Sequence, residues 1–150
     1  DCANRMFLTE ERLALGLLSP ETNKRMVDFA RRYRREILRY LPPRNYVTPE
    51  RCRANLDAIA AILRARGAGN VILSTIILPP VKFWAETPGI NRNFQRYNLE
   101  VMDAAERHDL TLLDIDRIVW ENHDRGPLLP DGMHLSEFGH RLMFDQVASV

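Results

Sequence analysis

Residues 71–78 read Val-Ile-Leu-Ser-Thr-Ile-Ile-Leu, and this stretch sets the fold class expected for the 150-residue chain. It is short, rich in β-branched residues and apolar at both alternating sets of positions. Such a run is typical of a parallel strand that helices bury on both faces. The proline pair at 79–80 should end the strand, because proline has no N–H to donate to a neighbouring strand.

Helical patterns surround this strand. One helix should begin at Thr48-Pro49, because the threonine hydroxyl can cap free amides and a proline at the first helical position needs no N–H. Its apolar periodicity continues to Arg66, and Gly67 ends it. Other predicted elements are a helix from Ser19 to Leu41 with Met26, Ala30, Tyr33, Ile37 and Tyr40 on its apolar face, a helix through Phe94–Ala105, a strand at 111–115, a long loop through Trp120, His123 and Pro127, and a last helix from about Ser136 to Val150.

The order of these elements predicts an α/β fold. Helices alternating with short buried strands are typical of a doubly wound, flavodoxin-like parallel sheet with helices on both faces. Only two strands are evident, and a parallel sheet this narrow would leave an apolar edge unpaired. We therefore treat residues 1–150 as one domain that is incomplete, and we expect further strands from residues N-terminal to Asp1 or from another chain.

Composition and charge exclude several classes of protein. The chain is 45% hydrophobic and has 21 basic and 20 acidic residues, for a net charge of +1, so no general field favours nucleic acid or an anionic membrane. No apolar run reaches the ~18 residues of a membrane span. No targeting signal is visible, so a cytoplasmic location is the default expectation, although an upstream signal peptide stays open. Cys2 and Cys52 lack the spacing of a zinc site or a disulfide framework.

The densest chemical signal is the stretch Leu-Pro-Asp-Gly-Met-His-Leu-Ser-Glu-Phe-Gly-His at residues 129–140. A turn there can fold the Asp131 carboxylate back onto Nδ1 of His134, which leaves Nε2 as a base for a hydroxyl nucleophile. Gly132 permits the tight turn, and Ser136 is placed to cap the following helix. On spacing alone, an aspartate in a turn beside a surface histidine explains the pattern more readily.

The wider context favours the catalytic interpretation. This block resembles the last conserved block of the SGNH/GDSL hydrolases, D-x-x-H-L followed by Ser, Gly and a closing helix. The opening Asp1-Cys2-Ala3-Asn4-Arg5 looks like the end of a G-x-x-D-C-x-x-R block, which follows the third strand of that superfamily. The order of helices and strands is similar to the second half of the same fold. The resemblance implies that the chain is the C-terminal part of such a domain, with Asp131 and His134 as triad acid and base.

The resemblance also implies a reaction. Its members are serine hydrolases of the esterase or deacetylase type, which act on small acyl or acetyl esters, including acetylated carbohydrate, without a metal or organic cofactor. Their nucleophile lies in a G-D-S block after the first strand, which would precede Asp1. Ser74 should lie inside a buried strand and Ser136 reads as a cap, and Ser19 and Ser149 read as surface residues. We therefore expect the nucleophile to come from an upstream segment or a companion chain, and the chain alone to be inactive.

Four residues are weaker candidates for binding substrate: Asp1, Arg5, Phe83 and Trp84. Arg5 suits either an acidic substrate group or an ion pair with a nearby carboxylate. Phe83 and Trp84 follow the first strand, where doubly wound sheets bind ligands, but packing beneath a loop explains them equally well. Trp120 and His123 have the same two interpretations.

The sequence leaves two other functions open and argues against a metal site. A catalytically inactive module of the same fold could bind a carbohydrate or a protein partner. An arginine-rich helix at 23–41 could bind nucleic acid, but a solvated helix face explains it better and no nucleic-acid partner is expected. His123, His134 and His140 with Asp131 fit no ligand pattern for a metal, so no metal site is predicted.

Overall fold

The computed structural model describes residues 19–40, 47–78, 80–81, 84 and 87–149. These residues form an α/β structure in which helices predominate. The elements are α1 (Pro20–Arg32), α2 (Arg34–Tyr40), α3 (Pro49–Ala65), β1 (Ile72–Ser74), α4 (Ile90–Arg107), β2 (Thr111–Leu113), α5 (Ile115–Glu121), a 3-10 turn (His123–Arg125) and α6 (Glu137–Ala148).

The strands β1 and β2 pair in parallel, with Ile72 opposite Thr111 and Ser74 opposite Leu113. The predicted α/β class and the parallel pair are therefore confirmed within the described residues. The described part is compatible with an incomplete flavodoxin-like sheet. The doubly wound arrangement remains a prediction, because it depends on strands beyond these two.

The predicted strand at 71–78 is too long, because β1 ends at Ser74. At Ile76 and Leu78, the backbone hydrogen bonds that a neighbouring strand would make are made by side chains. The amide of Asn98 pairs with both backbone groups of Ile76, accepting from its N–H at 2.7 Å and donating to its carbonyl at 2.8 Å. A carboxylate oxygen of Asp116 accepts from the N–H of Leu78 at 2.7 Å. The segment stays extended without belonging to the sheet.

Burial of β1 is also less complete than predicted. Ser74 is exposed and Ile72 and Leu73 are half-buried, while Thr75 is only 2% exposed. The helix α4 packs against both strands and against α3. Tyr97, Val101, Ala104 and Ala105 are buried side chains of α4 around which the core forms. Leu113 of β2 and Ile118 of α5 are buried in the same core.

The start of α3 is confirmed as predicted. Thr48 is its N-cap, with its hydroxyl accepting from the N–H of Arg51 at 3.2 Å, and Pro49 opens the helix. Ion pairs then join α3 to α4, such as Arg53 to Glu100 at 2.7 Å. Because solvent screens the arginine of this pair, the pair adds little to stability and serves mainly to link the two helices.

Two other predictions about helices are wrong. The single helix expected from Ser19 to Leu41 is two helices with a turn at Tyr33, and Val27, not Met26, occupies the buried face with Ala30. The long loop expected through Trp120 contains α5, since the side chain of Asp114 accepts from the N–H of Arg117 at 3.3 Å and starts a helix directly after β2. The last helix, α6, begins after Ser136 as predicted.

Candidate active site

The loop between the 3-10 turn and α6 is closed by its own hydrogen bonds. Leu128 and Leu135 form an isolated antiparallel bridge. The hydroxyl of Ser136 accepts from the N–H of Gly139 at 3.1 Å and donates to the carbonyl of Gly126 at 2.7 Å. The predicted cap is confirmed, and the same hydroxyl ties the two limbs of the loop together. Residues 129–134 are therefore held as a turn in front of the helix.

The turn brings Asp131 and His134 into contact. Oδ2 of Asp131 lies 2.7 Å from Nδ1 of His134. Oδ1 accepts from the N–H of Met133 at 2.8 Å and from the N–H of His134 at 3.1 Å. The Met133 amide, then the His134 ring and the His134 amide, lower the pKa of Asp131 from 3.8 to about 2. The carboxylate is thus ionised at neutral pH, accepts the Nδ1 proton and leaves Nε2 of the neutral ring as the basic nitrogen.

The turn is anchored to the sheet by Pro80, which follows β1. Gly132 adopts a left-handed conformation with φ +71°, and a Cβ at this position would lie 2.3 Å from Cγ of Pro80. Only glycine meets both requirements. Pro80 therefore holds the turn with Asp131 and His134 at the edge of the sheet where the parallel strands end.

A cleft of about 510 Å³ opens at this edge. Its walls come from three segments: Leu78, Pro80 and Trp84 after β1; Asp116, Trp120 and His123 after β2; and Gly126–Leu128 at the start of the loop. A second hollow of about 400 Å³ adjoins it and shares Leu78, Gln95, Asp116 and Trp120. Concave sites of this kind, mostly apolar with a few polar groups, are where small ligands bind.

The structure places some of the weaker sequence candidates on this cleft. Trp84, Trp120 and His123 line it, and the rings of Trp120 and His123 stack with centroids 5.6 Å apart. Asp1, Arg5 and Phe83 lie outside the described residues.

Sequence reasoning missed Asp116, a half-buried residue of the cleft wall. The hydroxyl of Thr75 donates to Asp114 at 2.9 Å and accepts from the N–H of Asp116 at 3.1 Å, so it connects the ends of the two strands. The pKa of Asp116 is raised above its usual value, chiefly by burial and also by the charge of Asp114. The hydrogen bond from the amide of Leu78 opposes this rise. The position of Asp116 in the first turn of α5, three residues after β2, is the signal that was available, because ligands in such sheets bind beyond the strand ends.

The serines have the following environments. Ser19 accepts from the N–H of Thr22 at 3.3 Å, and Ser149 donates to the carbonyl of Gln146 at 2.8 Å, so both are exposed partners of helix ends. Ser136 is the cap of α6. Ser74 is exposed on β1, which corrects the expectation that it is buried.

Neither a metal-binding cluster nor a membrane-spanning helix is present in the described residues. In this part of the chain no group of three or more His, Cys, Asp or Glu side chains is arranged to hold a metal ion. Among the helices that the structure describes, none combines the length and the apolarity that a membrane crossing requires.

The described residues form an α/β structure in which a turn holds Asp131 against His134, and neither of these two residues lines the cleft. The family model described as GDSL-like Lipase/Acylhydrolase matches residues 44–142, which is more than half of the chain. The chain belongs to this family, as its resemblance to the SGNH/GDSL hydrolases predicts. Neither the curated proteins nor the solved structures contain a significant match to it.

Proposed function

We propose that this protein is a serine esterase in which His134 is the general acid and base and Asp131 orients it. The contact of 2.7 Å between Oδ2 of Asp131 and Nδ1 of His134 carries the proposal. Two backbone amides occupy Oδ1 of Asp131, so the other oxygen is directed to the ring. Membership of the acylhydrolase family supports the same reaction class.

In this mechanism Nε2 of His134 removes the proton of a serine hydroxyl as its oxygen attacks the ester carbonyl. The tetrahedral intermediate collapses, its C–O bond to the alcohol breaks, and the imidazolium gives its proton to the departing oxygen. Water then attacks the acyl-enzyme with His134 again as the base, and the proton returns to the serine oxygen as the acid leaves. Asp131 keeps the imidazole in one tautomer and stabilises the imidazolium at each step.

We propose that the nucleophile comes from outside these 150 residues. The environments of Ser19, Ser136 and Ser149 at helix ends, and of Ser74 within β1, favour a structural role for each. No serine of the chain stands in a G-D-S or G-x-S-x-G sequence. The substrate is a small acyl or acetyl ester, and acetylated carbohydrate is one candidate.

Labelling of the purified full-length protein with a fluorophosphonate, followed by peptide mass spectrometry, tests this proposal. We expect the label on a serine outside residues 1–150. A label on one of the four serines of this chain would show that the nucleophile is placed wrongly. The absence of any label would favour a catalytically inactive binding module.

His134→Ala should lower both kcat/KM for phenyl acetate and the rate of labelling by roughly 10²–10⁴-fold, because the general base is lost. His140→Ala is the matched control, since His140 is an exposed histidine of α6 and should keep full activity. Wild-type turnover in His134→Ala would contradict the assignment, provided that both variants unfold cooperatively.

A further inference from the structure

One carboxylate oxygen on the wall of the cleft lacks a hydrogen-bond donor. Oδ1 of Asp116 accepts from Leu78, whereas no donor within the described part of the chain reaches its Oδ2. Nδ1 of His123 donates to the carbonyl of Trp120 at 2.9 Å. A buried acceptor left unpaired is costly, so this surface favours a ligand that brings donors.

The charge of the cleft also disfavours an anionic ligand. Among the described residues that line it, Asp116 is the only carboxylate and no lysine or arginine is present. The basic residue that follows Asp116 in sequence, Arg117, pairs with Glu121 at 2.9 Å and approaches Asp114 at 3.8 Å. An anionic group in the cleft would therefore meet the like charge of Asp116.

The remaining walls are flat and apolar. Trp84 and Trp120 face this volume together with Leu78 and Pro80. Aromatic faces provide a large contact area for C–H surfaces and also attract cations. A quaternary cation, however, would leave the free carboxylate oxygen of Asp116 without a hydrogen bond. Hydroxyl groups on an otherwise apolar ring or chain satisfy both kinds of surface.

We propose that Asp116 selects the substrate, because its free carboxylate oxygen accepts hydrogen bonds from an uncharged, hydroxyl-rich alcohol such as a polyol or a sugar and repels an anionic one. That this alcohol is the leaving group of an ester rests on the function proposed above. Its binding in the cleft does not depend on catalysis.

Tryptophan fluorescence provides a direct test, since Trp84 and Trp120 are the only tryptophans of the chain and both line the cleft. Where the full-length protein contains further tryptophans, these are first replaced by phenylalanine. The protein is titrated with methyl glucoside and with methyl glucuronide, which differ only at C6, where a carboxylate replaces the hydroxymethyl group. We expect saturable binding of the glucoside and at least roughly tenfold weaker binding of the glucuronide.

Asp116→Asn should weaken glucoside binding by roughly tenfold or more, because the amide replaces an acceptor with a donor. It should also reduce the difference in affinity between the glucoside and the glucuronide. Asp145→Asn removes the same charge at an exposed site on α6 and should alter neither affinity. If Asp116→Asn does not unfold cooperatively, Asp116→Glu decides, because it keeps the charge and moves the accepting oxygen: we expect weaker glucoside binding without a gain for the glucuronide, and an unchanged glucoside affinity would overturn the proposal.

Equal affinity for the two glycosides would also overturn it, as would tighter binding of choline than of the glucoside. The two proposals fail separately. Selective glucoside binding without any labelled serine would refute the proposed esterase function. It would leave the proposal that Asp116 selects an uncharged ligand intact. A labelled serine together with glucoside affinity that Asp116→Asn does not change would refute the role of Asp116 alone.

Discussion

Gly132→Ala should damage the turn that holds the candidate catalytic pair, and the chain contains its own control. Gly132 and Gly126 both adopt left-handed conformations, with φ +71° and +68°. A Cβ at Gly126 would meet no atom within 4 Å, whereas a Cβ at Gly132 would lie 2.3 Å from Cγ and 3.0 Å from Cδ of Pro80. The two alanine variants thus share backbone strain and differ in steric overlap.

The size of the effect follows from these two terms. A left-handed conformation costs a residue with a Cβ about 1–2 kcal/mol, which is the expected destabilisation for Gly126→Ala. Overlap with a packed neighbour adds about 1–3 kcal/mol. The free energy of unfolding of Gly132→Ala should therefore fall by about 2–5 kcal/mol. Since Gly132 lies between Asp131 and His134, the shift that relieves the overlap should also lengthen their 2.7 Å contact and lower kcat/KM.

Urea unfolding of the two variants measures the first effect, and hydrolysis of phenyl acetate by the full-length protein with the same substitutions measures the second. Pro80→Ala removes the two overlapping atoms, so in the Gly132→Ala background it should recover the steric part of the loss and leave the backbone strain. A double-mutant cycle isolates that coupling. Equal unfolding free energies for Gly126→Ala and Gly132→Ala, or a cycle without coupling, would refute the proposed contact between Pro80 and the turn.

Two further predictions concern buried amides and acid stability. Asn98→Leu should destabilise the protein by about 2–5 kcal/mol in urea unfolding, because it leaves the N–H and the carbonyl of Ile76 unpaired; a loss below about 1 kcal/mol would mean that water replaces the amide. The pKa of Asp131 is lowered from 3.8 to about 2 in the folded state, so its stabilising effect should be complete above about pH 4 and disappear as the pH falls towards 2. The difference in unfolding free energy between wild type and Asp131→Asn, followed from pH 6 to pH 2, should show that decline, and a constant difference would contradict it.

The parts of the fold that sequence predicts well are those decided by neighbouring residues. Thr48 and Ser136 cap their helices through hydroxyl contacts three residues away, and such contacts follow from spacing. The length of β1 was mispredicted for the opposite reason. The groups that replace a neighbouring strand, Asn98 and Asp116, lie 22 and 38 residues from their partners. Apolar periodicity cannot show that a side chain will take a backbone amide so far away.

The candidate site also contains contacts between near neighbours in sequence, which are predictable, and contacts between distant residues, which are not. The contact between Asp131 and His134 spans three residues, so a turn suffices to make it and the spacing predicts it. The environment of Asp116 requires β1 and β2 to be paired first, because its partners Thr75 and Leu78 belong to the segment after the other strand. A single aspartate at a strand end has no distinctive sequence pattern. Its burial and its free oxygen become apparent only when both strand ends are placed together.

The locality of the catalytic pair has a consequence for the proposed mechanism. The hydrogen bonds that fix Asp131 come from Met133 and His134, and those that close the loop come from residues 126–139. The histidine is therefore oriented before any nucleophile is present, and its alignment does not depend on contact with the serine. In the proposed mechanism, a serine would therefore meet an Nε2 that is already aligned, which limits the entropy lost when the site assembles. We accordingly expect the Asp131–His134 geometry to be the same whether or not a nucleophile is present.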